Sequence, residues 1–210
     1  MATQPRHGRV GLALFCLLLA IVTGLLCTWQ VQRAREKARL EAVVAERSAT
    51  APAEGLPAEP AAEHLWRRYR VRGRPDREHA LLLDNRTLDG RPGYEIYRLL
   101  WLEQDRALLV ADGFLAAGGD RARLPEVPPF RSLPGSGGAD VLEVEGRLFP
   151  PDRNLVWEGP LVEPGWPARI QAARPGTLAP VLSERLGRAL GLYPLTLVHE
   201  HGDATAPRRA

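Results

Sequence analysis

Residues 10–32 read Val10-Gly-Leu-Ala-Leu-Phe-Cys-Leu-Leu-Leu-Ala-Ile-Val-Thr-Gly-Leu-Leu-Cys-Thr-Trp-Gln-Val-Gln32, and no charged side chain falls between Arg9 and Arg33. As an α-helix rising about 1.5 Å per residue, this run crosses a hydrocarbon layer of about 30 Å with some tilt. A cleaved signal peptide would have a shorter apolar region closing on a small-x-small site. Here the run ends Leu25-Leu26-Cys27-Thr28-Trp29, and bulky Leu26 ahead of Cys27 is equally unsuited to a lipoprotein signal. The run is therefore expected to remain as an anchor in the lipid bilayer. Trp29 stands where an interfacial aromatic belongs, and Arg33, one turn on, reaches for headgroups. Both cysteines, Cys16 and Cys27, lie inside the run, where apolar packing is their expected role.

Outward from the anchor the chain is ordinary. It has 210 residues, 45% of them hydrophobic, with 28 Lys+Arg against 25 Asp+Glu and a formal net charge of +3. That balance is too mild to argue for nucleic acid. Two cysteines exclude a disulfide scaffold, a zinc finger and a C-x-x-C-H haem attachment. The best candidate for a second span, residues 178–198, contains Glu184, Arg185, Arg188, Pro180 and Pro194. Each central charge costs about 2.5–3.5 kcal/mol on insertion, so one membrane helix is expected. Charge leaves the orientation open. Arg33, Arg35, Lys37, Arg39 and Arg47 outnumber Arg6 and Arg9, which favours a cytoplasmic domain, but long domains translocate largely regardless of charge.

The expected organisation is an N-terminal tail (1–9), a transmembrane helix (10–32), a juxtamembrane helix (33–47) with a Lys37/Glu41 pair four apart, a Pro/Ala-rich linker (48–63), a soluble domain (64–200) and a disordered polar tail (201–210). In the soluble part the pattern is mostly strand: 66–71, 79–84, 94–103, 106–115 and 141–149. Short strands are expected at 155–163, 168–171 and 195–198. Gln104-Asp105 is read as a two-residue hairpin loop, Gly73-Arg74-Pro75-Asp76 as a turn, and 130–139 as a Pro/Gly/Ser loop. Residues 180–190 place Val181, Leu182, Leu186, Ala189 and Leu190 on one helical face, with Gly191 as the stop. The fold class is α+β: one N-terminal transmembrane helix, then a mainly antiparallel β domain with few helices.

Motifs of catalysis are missing. His199-x-His201 puts two rings on one face of a strand, as part of a metal or haem-iron site would, but no nearby Cys and no third histidine completes it, and a plain polar strand end is the preferred reading. His79 beside Glu78 reads as surface. Ser136 lies in Gly135-Ser136-Gly137 without the strand–turn–helix context of a nucleophile elbow. Carboxylates form no acid–base pair, and the five tryptophans (Trp29, Trp66, Trp101, Trp157, Trp166) read as core rather than as a cofactor stack. No metal site is assigned, and the chain is expected not to be an enzyme.

The order of short motifs carries more. Gly24-x4-Trp29-Gln30-x2-Arg33-x3-Lys37 at the membrane exit resembles the "G-x-W-Q-x-x-R" signature of the Surfeit locus protein 1 family, cytochrome c oxidase assembly factors. Tyr69 to Gly73 resembles that family's "Y-x-x-V-x-G". Asn85-Arg86 and Gly93-Tyr94 resemble its "R…G…G-Y/F" stretch. Residues 109–115 around Gly113, then Asp120, Arg121 and Pro125, resemble its "V-n-R-G-W-v-p…R…P" stretch, with weaker pieces at 144–148 and 166–171. Two departures stand out. Asp112 and Phe114 replace the family's arginine and tryptophan, the first reversing a charge. The family's second membrane helix, whose start carries a histidine implicated in haem a binding, is expected to be lacking here. His199 and His201 do not match that motif, so no residue is assigned as a haem ligand.

What the resemblance implies is a membrane-anchored biogenesis factor of the respiratory chain, a chaperone for complex IV. It would assist haem a insertion or stabilise an assembly intermediate, with the oxidase's main subunit or its intermediates as partner. Haem a is the one cofactor implied. The implied location is a bacterial inner membrane, N-terminus in the cytoplasm and domain in the periplasm. The alternative is a single-pass tethered interaction module without cofactor.

Overall fold

A computed structural model describes residues 6–119, 123–131, 140–151 and 160–199. The chain divides into two compact units, Met1–Glu46 and Arg47–Ala210.

The first unit is a single helix. α1 runs unbroken over Arg6–Ala49, so the apolar run and the charged stretch after it form one rod of about 66 Å. No proline interrupts it, and Lys37 pairs with Glu41 at 3.7 Å. From Val10 to Leu40 its apolar side chains are exposed, and Val43 and Val44 are half-buried. It is the one helix among the described residues long and apolar enough to cross a membrane. Thr23 and Thr28 donate their hydroxyls to Leu19 O and Leu25 O at 2.8 Å, so these two polar groups are satisfied inside the apolar stretch.

The second unit is a β-barrel with one further helix. Its strands are β1 (Ala53–Glu54), β2 (Arg68–Pro75), β3 (Leu81–Leu88), β4 (Arg91–Trp101), β5 (Arg106–Ala116), β6 (Leu142–Phe149), β7 (Ala168–Ile170) and β8 (Gly191–His199); α2 is Pro175–Leu186. A short 3₁₀ turn at Ala62–His64 lies between β1 and β2. The strand order is β1-β2-β6-β8-β5-β4-β3-β7. The end of β2 returns to pair with the end of β4, Arg74 opposite Trp101 and Pro75 opposite Leu100, closing β2-β6-β8-β5-β4 into a ring. β3 takes the remainder of that edge of β4, and β7 lies parallel to β3.

Two layers of apolar side chains follow from the period of two along each strand. Tyr69, Val71, Leu100, Leu108, Val110, Val144, Leu148, Leu195 and Leu197 form one cluster. All five strands of the ring contribute to it, so it is the barrel's interior. The alternate residues Leu81, Leu83, Tyr97, Leu99, Leu109 and Ala111 pack on the opposite face with Leu178 and Leu182 of α2. β4 and β5 are covered on both sides, which is why Leu108-Leu109-Val110-Ala111 reads as an unbroken apolar run. On the outside of β2 and β6 the pairing sets Arg70 opposite Glu145 and Arg72 opposite Glu143. Their ion pairs are 3.1 and 2.5 Å.

Several expected boundaries move. The Gly73–Asp76 turn is the end of β2 except for Asp76, because the barrel needs that end to meet β4. β3 runs on through Asn85-Arg86, with a register shift between Leu83 and Arg86 and Asn85 at φ 56°. The true two-residue hairpin loop is Asp89-Gly90, with Leu88 opposite Arg91 and φ of 50° and 77°, the left-handed pair a type I′ turn requires. Between β4 and β5 the loop has four residues, 102–105, and Leu102 N–H and Glu103 N–H both donate to Arg106 O. α2 starts at Pro175, which presets φ at the first helical position, and ends at Gly187 in the left-handed region rather than at Gly191. Gly191 begins β8, which is longer than 195–198. The stretch read as a linker carries β1 and the 3₁₀ turn. The strand expected at 155–163 falls mostly outside the described residues; its end, Val162, bridges Ile170. The loop expected at 130–139 lies almost wholly outside the described residues, as do the tail from His201 on and the start of the N-terminal tail.

Candidate functional site: a charged cluster beneath a proline strap

Inside the barrel, at one end, three ionisable side chains replace apolar packing. Arg98 on β4, Asp112 on β5 and His199 at the end of β8 are each under 5% exposed. Arg98 Nε donates to Asp112 Oδ2 at 2.9 Å, and His199 Nδ1 lies 3.4 Å from Asp112 Oδ1. The geometry comes from a β-bulge. Along β4–β5 the register steps from Ile96 opposite Gly113 to Tyr97 opposite Ala111, so Asp112 is the extra residue of the bulge. Gly113 absorbs the distortion with φ of 140°, a value side-chain-bearing residues rarely adopt. A bulge re-aims the side chain it carries, here toward Arg98.

The segment 123–131 crosses over this cluster without regular structure. Arg98 Nη2 donates to Pro128 O, its guanidinium sits 5.5 Å from the Phe130 ring centroid, and Arg131 N–H approaches Asp112 Oδ1 at 3.4 Å. Leu124 and Val127 pack on Leu82, Tyr94 and Ile96. The buried pair thus serves two ends, each ion satisfying the other and both gripping the strap. Burying two such charges is tolerable only with these extra partners.

Between the strap and the β2–β3 and β7 loops lies a cavity of about 630 Å³. Arg77, Arg98, Glu78 and Glu126 give it mixed charge, and Phe130 and Trp166 give it aromatic walls. Beside it, Asp76 accepts from the backbone N–H of Glu78 and His79 and lies 3.0 Å from His79 Nδ1. Trp166 packs edge-on against His79 at 4.6 Å between centroids. Arg185 of α2 stacks on Trp166 at 4.6 Å, and Arg188, just past the Gly187 cap, stacks on Trp101 at 4.0 Å.

These residues do not fit haem a. Among the described residues, the cavity lining holds no histidine, cysteine, methionine or tyrosine to ligate iron. Among the described residues no group of three or more His, Cys, Asp or Glu is placed to hold a metal ion. The pairing envisaged for His199 and His201 has only its first member among the described residues, and that one lies against Asp112.

The motif residues singled out from sequence do not gather at one place. Gly24, Trp29, Gln30, Arg33 and Lys37 are on α1. Gly73 sits where β2 closes on β4: a Cβ there would be 2.7 Å from Trp101 O. Gly93 lies under Phe114, whose Cζ a Cβ would meet at 2.4 Å. Tyr94 is buried, Gly113 is the bulge glycine, and Pro125 is half-buried at the start of the strap. Asp120 and Arg121 lie outside the described residues. Arg98 was not singled out, yet a signal existed: each of two adjacent apolar runs, 96–101 and 107–115, carries one charge, of opposite sign, in its interior. Asp112, noted only as a charge reversal, is the partner that makes Arg98 tolerable.

A family model described as "SURF1 family" matches residues 17–208, from inside the apolar run to beyond the last strand. No curated protein matches the chain.

Proposed function

The chain belongs to the SURF1 family, which is associated with cytochrome c oxidase assembly, and from that premise we propose that it is a membrane-anchored assembly factor that stabilises an intermediate of the oxidase's main subunit by binding it. The observation that carries this is the extent of the match, 17–208, which takes in both the apolar helix and the barrel. The α1 anchor tethers the domain to the membrane, on the periplasmic side of a bacterial inner membrane. The work is that of a chaperone, by contact rather than covalent catalysis: the buried cluster offers a salt bridge and no nucleophile beside a base.

Deleting the gene is expected to lower assembled oxidase, read from the haem a absorbance of membranes, and full-length protein in trans is expected to restore it. Unchanged oxidase content in the deletion strain overturns the reading. Fusion of alkaline phosphatase after Gln171 tests the location, since an inactive fusion excludes the periplasm.

Haem a handling is the second reading. It rests on the family resemblance, and the lining of the cavity speaks for a cofactor-free module instead. Titrating purified protein with haem a separates them: a stoichiometric spectral shift supports haem handling, and its absence supports the module.

A further inference from the structure

The charges that follow the apolar run form a collar. Arg33, Arg35, Lys37 and Arg39 fall within seven residues with only Glu36 among them. At 100° per residue Arg33 and Lys37 share one side of α1, and Arg35 and Arg39 share another roughly 160–200° round. The cations therefore surround the helix rather than line a stripe, as suits a helix that passes upright through a headgroup layer. An interfacial helix lying flat would need an apolar face along its length.

Depth agrees with this. Arg33 is about 6 Å and Arg39 about 15 Å beyond Trp29 along the axis. The headgroup region is about 5–8 Å deep on each side, and charges a further Debye length of about 8–10 Å away still feel the surface. All four cations fall within that reach. They are also available. Arg35 and Arg39 have no ion pair among the described residues, Arg33 stacks on Trp29 at 5.9 Å, and Lys37 meets Glu41 at 3.7 Å with both side chains more than 60% exposed. Such an exposed pair holds its partners weakly.

We propose that the collar of Arg33, Arg35, Lys37 and Arg39 binds the headgroups of anionic phospholipids in the leaflet through which α1 leaves the membrane. The proposal rests on α1 being the membrane anchor. The ligand is a phosphodiester bearing one net negative charge, met by several cations at once, and the interaction weakens with salt.

The test uses the full-length protein in phosphatidylcholine vesicles carrying either brominated phosphatidylglycerol or brominated phosphatidylcholine at equal mole fraction. Bromine on the acyl chains quenches Trp29, the tryptophan inside the apolar stretch. Quenching by the brominated phosphatidylglycerol is expected to show about threefold or greater enrichment over phosphatidylcholine, falling with added salt. The variant with Arg33→Gln, Arg35→Gln, Lys37→Gln and Arg39→Gln is expected to insert equally and lose the enrichment. Equal quenching by the two lipids in the wild type overturns the proposal while leaving the anchor in place. Enrichment that survives in the variant also overturns it. No quenching by either lipid overturns the anchor itself, and the collar with it.

Discussion

Asp112 accepts a hydrogen bond from Arg98 Nε at 2.9 Å inside the barrel, and neither side chain is more than 3% exposed. Two strands each interrupt an apolar run with a charge, and the bulge at Asp112 brings the charges together. Removing one partner strands the other without its counterion. Asp112→Ala is expected to destabilise the domain by about 3–5 kcal/mol, whereas Arg98→Met with Asp112→Leu should recover most of that loss. Urea titration of the full chain in micelles, followed by tryptophan fluorescence, measures both. A double variant as unstable as the single one would show that the strap contacts, rather than the ion pair, carry the energy.

A second expectation concerns a close approach of two strands. A Cβ on Gly146 would stand 2.2 Å from Val198 O and 2.8 Å from Val198 C, both backbone atoms that cannot swing aside. Gly146→Ala must push β6 from β8 and is expected to cost about 1–3 kcal/mol or more. Gly176→Ala, with nothing within 4 Å of its Cβ, is the matched control and should leave the urea midpoint near the wild type.

α2 packs on the sheet through Leu178 and Leu182, and the residues just past its Gly187 cap add a stacked cation. Arg188 lies 4.0 Å over Trp101 and also donates to Gln104 O in the β4–β5 loop. Arg188→Ala should lower stability by about 1–2 kcal/mol. A double-mutant cycle with Trp101→Leu isolates the stacking contribution, which vanishes if the loop hydrogen bond is what matters.

Alkaline pH should loosen the wall formed by the segment before β2. Burial raises the pKa of Tyr69 and of Tyr193 above the usual 10.0. Tyr193 donates its hydroxyl proton to Pro57 O at 3.0 Å, and Tyr69 OH lies 2.7 Å from His64 Nδ1. In the unfolded chain each phenol loses its proton near 10.0, while the folded chain keeps it to higher pH. The unfolded state then binds fewer protons, so stability is full below pH 10 and declines as pH rises through the folded values. Tyrosinate absorbance at 295 nm and the urea midpoint, followed together above pH 10, read this out. Tyr193→Phe should flatten part of the decline.

The anchor was legible because a run of 23 uncharged residues needs no partner to be understood: its hydrophobicity is a property of the segment itself. Most strands were legible for a related reason, since the period of two survives wherever one face differs from the other. It faded in β4 and β5, which are apolar on both faces, and there the sequence announced strands without saying which residues face inward. The Asp89-Gly90 turn carried its own signal in the dipeptide, and Pro175 and Gly187 carried theirs at the ends of α2. These were local facts open to a local reading.

The cluster was another matter. Arg98 and Asp112 stand 14 residues apart, and His199 lies 87 beyond Asp112. Their meeting depends on a one-residue bulge, on the parallel pairing of β5 with β8, and on the return of β2 to β4. A hydrophobic pattern specifies that a strand exists; it does not specify its neighbour, because many pairings bury the same faces equally well. The sequence by itself determined an apolar helix, a strand-rich domain and a family pattern. Only the tertiary structure decided that the strands close into a barrel, that Gly73 and Gly93 mark close approaches, and that Asp112 finds its arginine within 3 Å.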